Sequence, residues 1–379
     1  MHYRTLGKTG RKVSVLGFGC MRLPLLDEND PSSIDEKEAI KIIRKGIDAG
    51  INYVDTAYPY HRGKSEVVLG KALKDGYREK VTLVTKNPVR MVEKPEDYDK
   101  FLKEQLERLD VDFIDVYLFH GLREERFEKV LEFDLIDRAK KAKEEGKIKH
   151  LGFSVHDKPE NIKKFLDTNE FEVMLIQYNI LDQVNEEVIK YAAEKGVGVV
   201  IMGPVAGGRL ALPPPEEMKE WVTPGRNDFV DLALKFVWSN PNVSVALSGM
   251  GSETMVDENL SLASKEPYTL TEAEKERAES IGKTYRELSD LICTQCGYCM
   301  PCEQEVNITH IMKQLIHWQV LKWDQAKRYY RMIGKTPIFK GKDATGCIEC
   351  GDCEEKCPQN IPIIERLKEA HSLLAEEAE

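Results

Sequence analysis

Residues 35–56 read DEKEAIKIIRKGIDAGINYVDT, from Asp35 to Thr56. In the first part, Ala39, Ile42, Ile43 and Ile47 recur at helical spacing among charged residues, which predicts an amphipathic helix over Asp35–Ala49. The second part, Ile51–Thr56, is short, apolar and rich in β-favouring residues, and it ends on a carboxylate, Asp55. A helix delivering directly into a buried strand is the repeating unit of a parallel α/β fold.

That unit recurs along the chain. Apolar runs stand at Val15–Cys20, Ile51–Thr56, Val81–Thr85, Phe113–Phe119, His150–Ser154, Val173–Tyr178, Val197–Met202 and Val243–Ser248. Helical stretches between them include Glu66–Lys74, Pro95–Leu109, Glu125–Glu145, Asn185–Glu194 and Phe229–Ser239. So many units over roughly 250 residues match a closed (β/α)8 TIM barrel. An open doubly wound sheet is the alternative. Gly17 and Gly19 lie inside the first run, however, without the third glycine and helix start that would cradle a pyrophosphate there. Tyr3–Val13, with turn glycines Gly7 and Gly10, reads as a hairpin placed to plug the barrel floor.

With 379 residues and 41% hydrophobic content, the chain is long enough for one large domain and a small appendage. The expected division is a barrel over 1–281 and a small helical ferredoxin-like domain over 282–379. A formal charge of -10, with both signs interspersed, offers no field for nucleic acid or anionic lipid. Met1–Val15 lacks an apolar signal core, and no long uncharged apolar run predicts a membrane span. A cytoplasmic protein is expected. Val205–Arg226, containing Gly207, Gly208 and Pro213–Pro215, is a connection of the kind that forms lids or mobile loops.

In a barrel, chemistry belongs at the carboxyl ends of the strands. Asp55 ends the second run, Tyr60 follows in its loop, Lys86 ends the third and His120 the fourth. A tyrosine donates protons well only when its pKa of about 10 is drawn toward neutrality, and a nearby ammonium does that by favouring the phenolate. Lys86 supplies the ammonium, Asp55 pairs with it, and His120 can orient a carbonyl by hydrogen bonding.

Asp55-Thr56-Ala57 with Tyr60, Ser65-Glu66, Val84-Thr85-Lys86 and Leu118-Phe119-His120 resemble the aldo-keto reductase family over nearly the whole of 1–270. The resemblance implies reduction of a small-molecule aldehyde or ketone by direct hydride transfer from NADP or NAD, bound extended without a Rossmann fold. It makes Tyr60 the general acid, Lys86 and Asp55 its tuners, and His120 the orienting residue. It places Ser154, Gln177 and, as a further candidate, Asn179 at the nicotinamide carboxamide, and Met202 where an aromatic ring usually stacks. Ser252, Glu258 and Asn259 fall at the adenine end. Gly249 and Met255 stand where NADP-specific relatives carry cations. His61-Arg62 replaces the usual glycine after the tyrosine, either to select an acidic or polar substrate or simply to face water.

Eight of the nine cysteines are Cys293, Cys296, Cys299 and Cys302, then Cys347, Cys350, Cys353 and Cys357 before Pro358. The second run has the C-x2-C-x2-C-x3-C-P spacing of ferredoxins carrying two 4Fe-4S clusters, in which the fourth cysteine of each run ligates the other cluster. Structural zinc is the alternative, but it usually draws on two distant pairs. Cys293, Cys296, Cys299 and Cys357 are thus expected to share one cluster, and Cys347, Cys350, Cys353 and Cys302 the other. The helix expected near His310–Met332 makes the module resemble the helical ferredoxin domains of respiratory oxidoreductases, and an acidic amphipathic tail follows.

Hydride carries two electrons, clusters move one at a time, and no flavin motif joins them. The clusters are expected to be a structural cap, a sensor, or a relay to a ferredoxin or flavoprotein. The rival to a reductase is a nicotinamide-binding electron-transfer or redox-sensing subunit with little carbonyl turnover.

Overall fold

The structure is a computed structural model, and it describes residues 1–375 apart from 28–29, 266–267, 289–290, 292 and 337–338. The end of the acidic tail, 376–379, lies outside the described residues. The opening stretch folds as its pattern predicts, into a helix over Glu36–Asp48 with Ala39, Ile42, Ile43 and Ile47 buried. Asp35 caps it by accepting from the Glu38 amide at 3.1 Å, a bond worth about 1 kcal/mol.

A hairpin of β1 (Tyr3–Thr5) and β2 (Lys12–Ser14) precedes β3 (Leu16–Gly19), β4 (Tyr53–Asp55), β5 (Thr82–Asn87), β6 (Ile114–Leu122), β7 (Ile148–Val155), β8 (Val173–Gln177), β9 (Gly198–Met202) and β10 (Val245–Ser248). The eight from β3 to β10 form a closed parallel barrel in which β10 pairs with both β9 and β3. Each expected run supplies one strand. Tyr53, Val84, Val116, Leu118, Val173, Leu175, Val200, Val245 and Leu247 pack in one buried cluster, joined by Leu6 and Val13 of the hairpin. Lys8 donates to Gly196 O at 2.6 Å, just before β9 begins, so the hairpin closes the amino-terminal end of the barrel. Burying Leu6 and Val13 contributes roughly 2 kcal/mol each.

Two expected helices are each broken. Glu125–Glu145 becomes Glu124–Glu132 and Leu135–Glu144, because Asp134 takes a left-handed conformation at φ 52°. His310–Met332 becomes Ile308–Leu321 and Gln325–Arg331, with Lys322 left-handed at φ 50°. An amphipathic pattern continues across such a residue, so periodicity alone hides the break.

The chain divides into two compact units. The first, Met1–Pro204 with Leu234–Leu270, holds the barrel. The second, Val205–Ala233 with Thr271–Glu379, is helical. It contains Glu272–Leu288, the broken pair above, and Ile363–Leu374, which is tied to Ile308–Leu321 by a 2.7 Å bond from Gln319 to Glu369. The connection expected as a lid is therefore structured within the second unit, with short 3-10 turns at Ala206–Ala211 and Glu216–Trp221. Among the described residues no helix is long and apolar enough to cross a membrane.

Candidate active site and cysteine centres

Asp55 is the last residue of β4 and Lys86 lies one from the end of β5, so adjacent strands present both at the carboxyl end of the barrel. The Lys86 ammonium donates to Asp55 Oδ1 and to Thr56 O, each at 2.6 Å, with both side chains almost wholly buried. Its Nζ stands 4.9 Å from the centre of the Tyr60 ring. The Tyr60 and His120 rings meet edge to face, 5.9 Å apart at 82°. His120 sits in β6 where the register with β7 shifts between Phe119 and Leu122. The four expected residues are thereby brought together.

Behind them the sequence supplies a buried polar frame. Ser65 Oγ donates to Cys20 O at 2.8 Å and lies 2.9 Å from Thr56 Oγ1. Glu66 accepts from Thr85, Gln105 and Arg108, and Arg108 also donates to Tyr58 O in the loop that carries Tyr60. Burial pushes the Lys86 pKa down and the Asp55 pKa up, and the pairing opposes both shifts. Burial, then Lys86, Arg126 and His156, holds His120 well below the ordinary histidine pKa, although part of its ring still reaches solvent. A neutral imidazole, a phenol and an ammonium around one point can bind a carbonyl oxygen and protonate it.

Ser154, Gln177 and Met202 lie on three successive strands, with Gln177 and Met202 paired in register. Ser154 accepts from Gly121 N at 2.8 Å, and Gln177 donates to Asp182 at 2.6 Å. Asn179 donates to Gly203 O at 2.9 Å. Ser252 caps the helix Glu253–Ala263 at the end of β10, and Asn259 on that helix bonds Ser248 at 2.9 Å. Glu258 is exposed on the same helix.

Two features were not legible in the sequence. The Arg22 stem lies against Gly249, 3.1 Å from where a Cβ would stand, so a cation reaches the β10 end from the loop after β3. Closure of the barrel between its first and last strands is the signal that predicts this neighbourhood. His61 turns inward, taking the Leu23 amide on Nε2 at 3.2 Å with Nδ1 2.7 Å from Pro31 O, and leaves Arg62 as the exposed charge beside Tyr60. The helix N-terminus together with Arg22 suits a phosphate group, and a partner-free buried oxygen, Asp55 Oδ2, marks the inner end of the site as polar. These residues fit a dinucleotide.

The cysteines border two cavities in the second unit. One is lined by Cys293, Cys296, Cys299 and Cys357, the other by Cys302, Cys347, Cys350, Cys353 and again Cys299. The two loops share one design. Gln295 and Glu349, each two residues after a leading cysteine, are left-handed at φ 53° and 59°. Each turns its amide toward the sulfur behind it, Gln295 N to Cys293 Sγ and Glu349 N to Cys347 Sγ, both at 3.4 Å. Such N–H donors stabilise thiolate bound to metal.

Burial pushes the Cys293 thiol up to about 11, with Cys296 and Cys357 adding to it. Burial likewise takes Cys353 to about 11, with Glu354, Cys347 and Cys350 adding. Ionised together, these thiols need a cationic group. Among the described residues no group of three His, Cys, Asp or Glu is set to hold a single metal ion. Thiols spread around a cavity fit a cluster of several irons better than zinc, whose four ligands converge on one atom.

A model of the aldo/keto reductase family matches residues 15–282, and a model of a 4Fe-4S dicluster domain matches 292–361. Among curated proteins, the uncharacterized oxidoreductase YqkF of Bacillus subtilis is 28% identical over 75% of this chain and 97% of its own length. L-galactose dehydrogenase of Arabidopsis thaliana is 28% identical over 76% of the chain and 92% of its own length. Among solved structures, the holo form of aldo-keto reductase AKR11C1 from Bacillus halodurans aligns at 31% identity and TM-score 0.64, covering 74% of this chain and 96% of that one.

Proposed function

The chain belongs to the aldo/keto reductase family and carries a 4Fe-4S dicluster domain, and on that premise we propose that it reduces an aldehyde or ketone with NADPH or NADH. The observation that carries this reading is the Lys86 ammonium held by Asp55 at 2.6 Å and lying 4.9 Å from the Tyr60 ring centre. When bound, a nicotinamide would supply the hydride for the carbonyl carbon. Tyr60 gives its phenolic proton to the carbonyl oxygen, and Lys86 stabilises the phenolate left behind. Neutral His120 donates a hydrogen bond to the same oxygen and sets the face presented for attack. Ser154, Gln177 and Met202 seat the nicotinamide, while Ser252, Glu258 and Asn259 hold the adenine end. Arg22 against Gly249 favours NADPH, since a guanidinium there can face the extra phosphate.

In the same reading, residues 1–281 are the reductase part of the chain and 282–379 the cluster module, with 205–233 and 271–281 belonging to the second compact unit. Cys293, Cys296, Cys299 and Cys357 hold one 4Fe-4S cluster, and Cys302, Cys347, Cys350 and Cys353 hold the second. Cys350 and the apolar Ile348 are exposed at the second cavity, which supports exchange of single electrons with a ferredoxin or flavoprotein in the cytoplasm.

The test is Tyr60→Phe. It lowers carbonyl-dependent NADPH oxidation about 100-fold or more with cofactor affinity unchanged, measured by stopped-flow absorbance and fluorescence titration. Undiminished turnover would sink the assignment.

A further inference from the structure

Arg209 is 8% exposed, and its Nε is a buried donor without a partner. Its Nη1 donates to Leu291 O at 2.8 Å, two residues before Cys293. Gly207, two residues earlier at φ 69°, lies against Thr294, directly after Cys293. A Cβ on Gly207 would fall 2.7 Å from the Thr294 backbone. The segment 205–211 therefore brackets Cys293 from both sides. The guanidinium carbon stands 5.5 Å from the centre of the Tyr285 ring, and Tyr285 OH donates back to Arg209 O at 3.4 Å.

A buried guanidinium is costly, and arginine cannot shed its charge as a buried lysine can. Among the described residues its contacts are a carbonyl, a ring and the Cys293 neighbourhood, with no carboxylate. Burial lowers the Arg209 pKa, and the Cys293 thiol is one of the groups that opposes this. Four thiolates around a 4Fe-4S cluster carry net negative charge, which reduction increases.

The geometry points to Arg209 as a positioning residue for the cluster at Cys293, its fixed charge held beside the Cys293 end of the thiolate cage and raising that cluster's reduction potential above the value the cysteines alone would give. The inference rests on the cluster reading above and goes further, since it makes the segment between β9 and β10 part of the redox centre.

The experiment uses full-length protein purified without oxygen. Iron and sulfide analysis and the reduced-state EPR signal test the cluster reading first, and their absence from wild-type protein would defeat both readings. With clusters present, protein labelled with 15N-arginine should show an arginine nitrogen coupling by pulsed EPR. Arg209→Met should lower the midpoint of one cluster and leave the other unchanged in an EPR-monitored titration, while Arg209→Lys should stay near wild type. No arginine coupling, or unchanged midpoints in an Arg209→Met protein with full iron content, overturns the proposal. If Arg209→Met fails to fold, the labelled wild-type protein decides the matter.

Discussion

Lys86 donates to Asp55 at 2.6 Å across two neighbouring strands, with side-chain exposures of 1% and 4%. Water contributes almost nothing to holding either charge, so each depends on the other, and the pair's response to substitution is correspondingly asymmetric.

Lys86→Met leaves the Asp55 carboxylate buried and alone, and costs about 3–5 kcal/mol along with the reductase activity. Asp55→Leu combined with Lys86→Met removes both charges, recovers most of that stability and leaves activity abolished. Thermal unfolding and NADPH oxidation, run on the same preparations, separate the two effects. Equal stability in the single and double variants would show that the pair is not coupled.

His120 is pushed well below its ordinary pKa by burial and neighbouring cations, so it is neutral at pH 7 and above. The pH profile of kcat/KM in that range should therefore carry no limb from His120. Replacing His120 with Asn, which keeps a hydrogen-bond donor, should lower kcat/KM about tenfold and leave the shape of the profile unchanged. A limb that disappears in His120→Asn would contradict the neutral imidazole.

Glu172 is half-buried, and burial raises its pKa. The bonds to His150 at 2.9 Å and Lys143 at 2.8 Å outweigh that and hold it down at about 2. A carboxyl whose folded pKa is depressed stabilises the fold above its unfolded pKa of about 4.3, and that contribution drains away as pH falls toward 2. Glu172→Gln should cost on the order of 1 kcal/mol at pH 7 after allowance for solvent screening. The difference from wild type should shrink steadily as pH falls from about 4.3 toward 2. A stability gap between wild type and Glu172→Gln that is the same at both pH values would remove the carboxylate from the account.

Crossed ligation makes Cys357 a ligand of the cluster whose other ligands lie more than fifty residues earlier. Cys357→Ala should remove the cluster at Cys293, with its EPR signal and half of the protein's iron, while that at Cys347 persists. Local ligation would produce the reverse loss, and site-specific iron analysis paired with Cys302→Ala distinguishes the two patterns.

The barrel was legible because strands buried on both faces leave continuous apolar runs, as at Val173–Gln177, where every residue is buried. The tetrad was legible because each member occupies a strand end or the loop beyond it. Hidden from the sequence were contacts between residues far apart in the chain. Nothing near Arg22 announces Gly249, and nothing near Arg209 announces Cys293. The breaks at Asp134 and Lys322 were hidden for a local reason. A single left-handed residue bends the chain without disturbing the apolar spacing on either side.

The amino-terminal hairpin sets a condition on traffic. With Leu6 and Val13 seated in the interior cluster, the hairpin stoppers the amino-terminal end of the barrel. Under the proposed reading, dinucleotide and carbonyl would both have to arrive from the carboxyl end, where Asp55 and Lys86 lie.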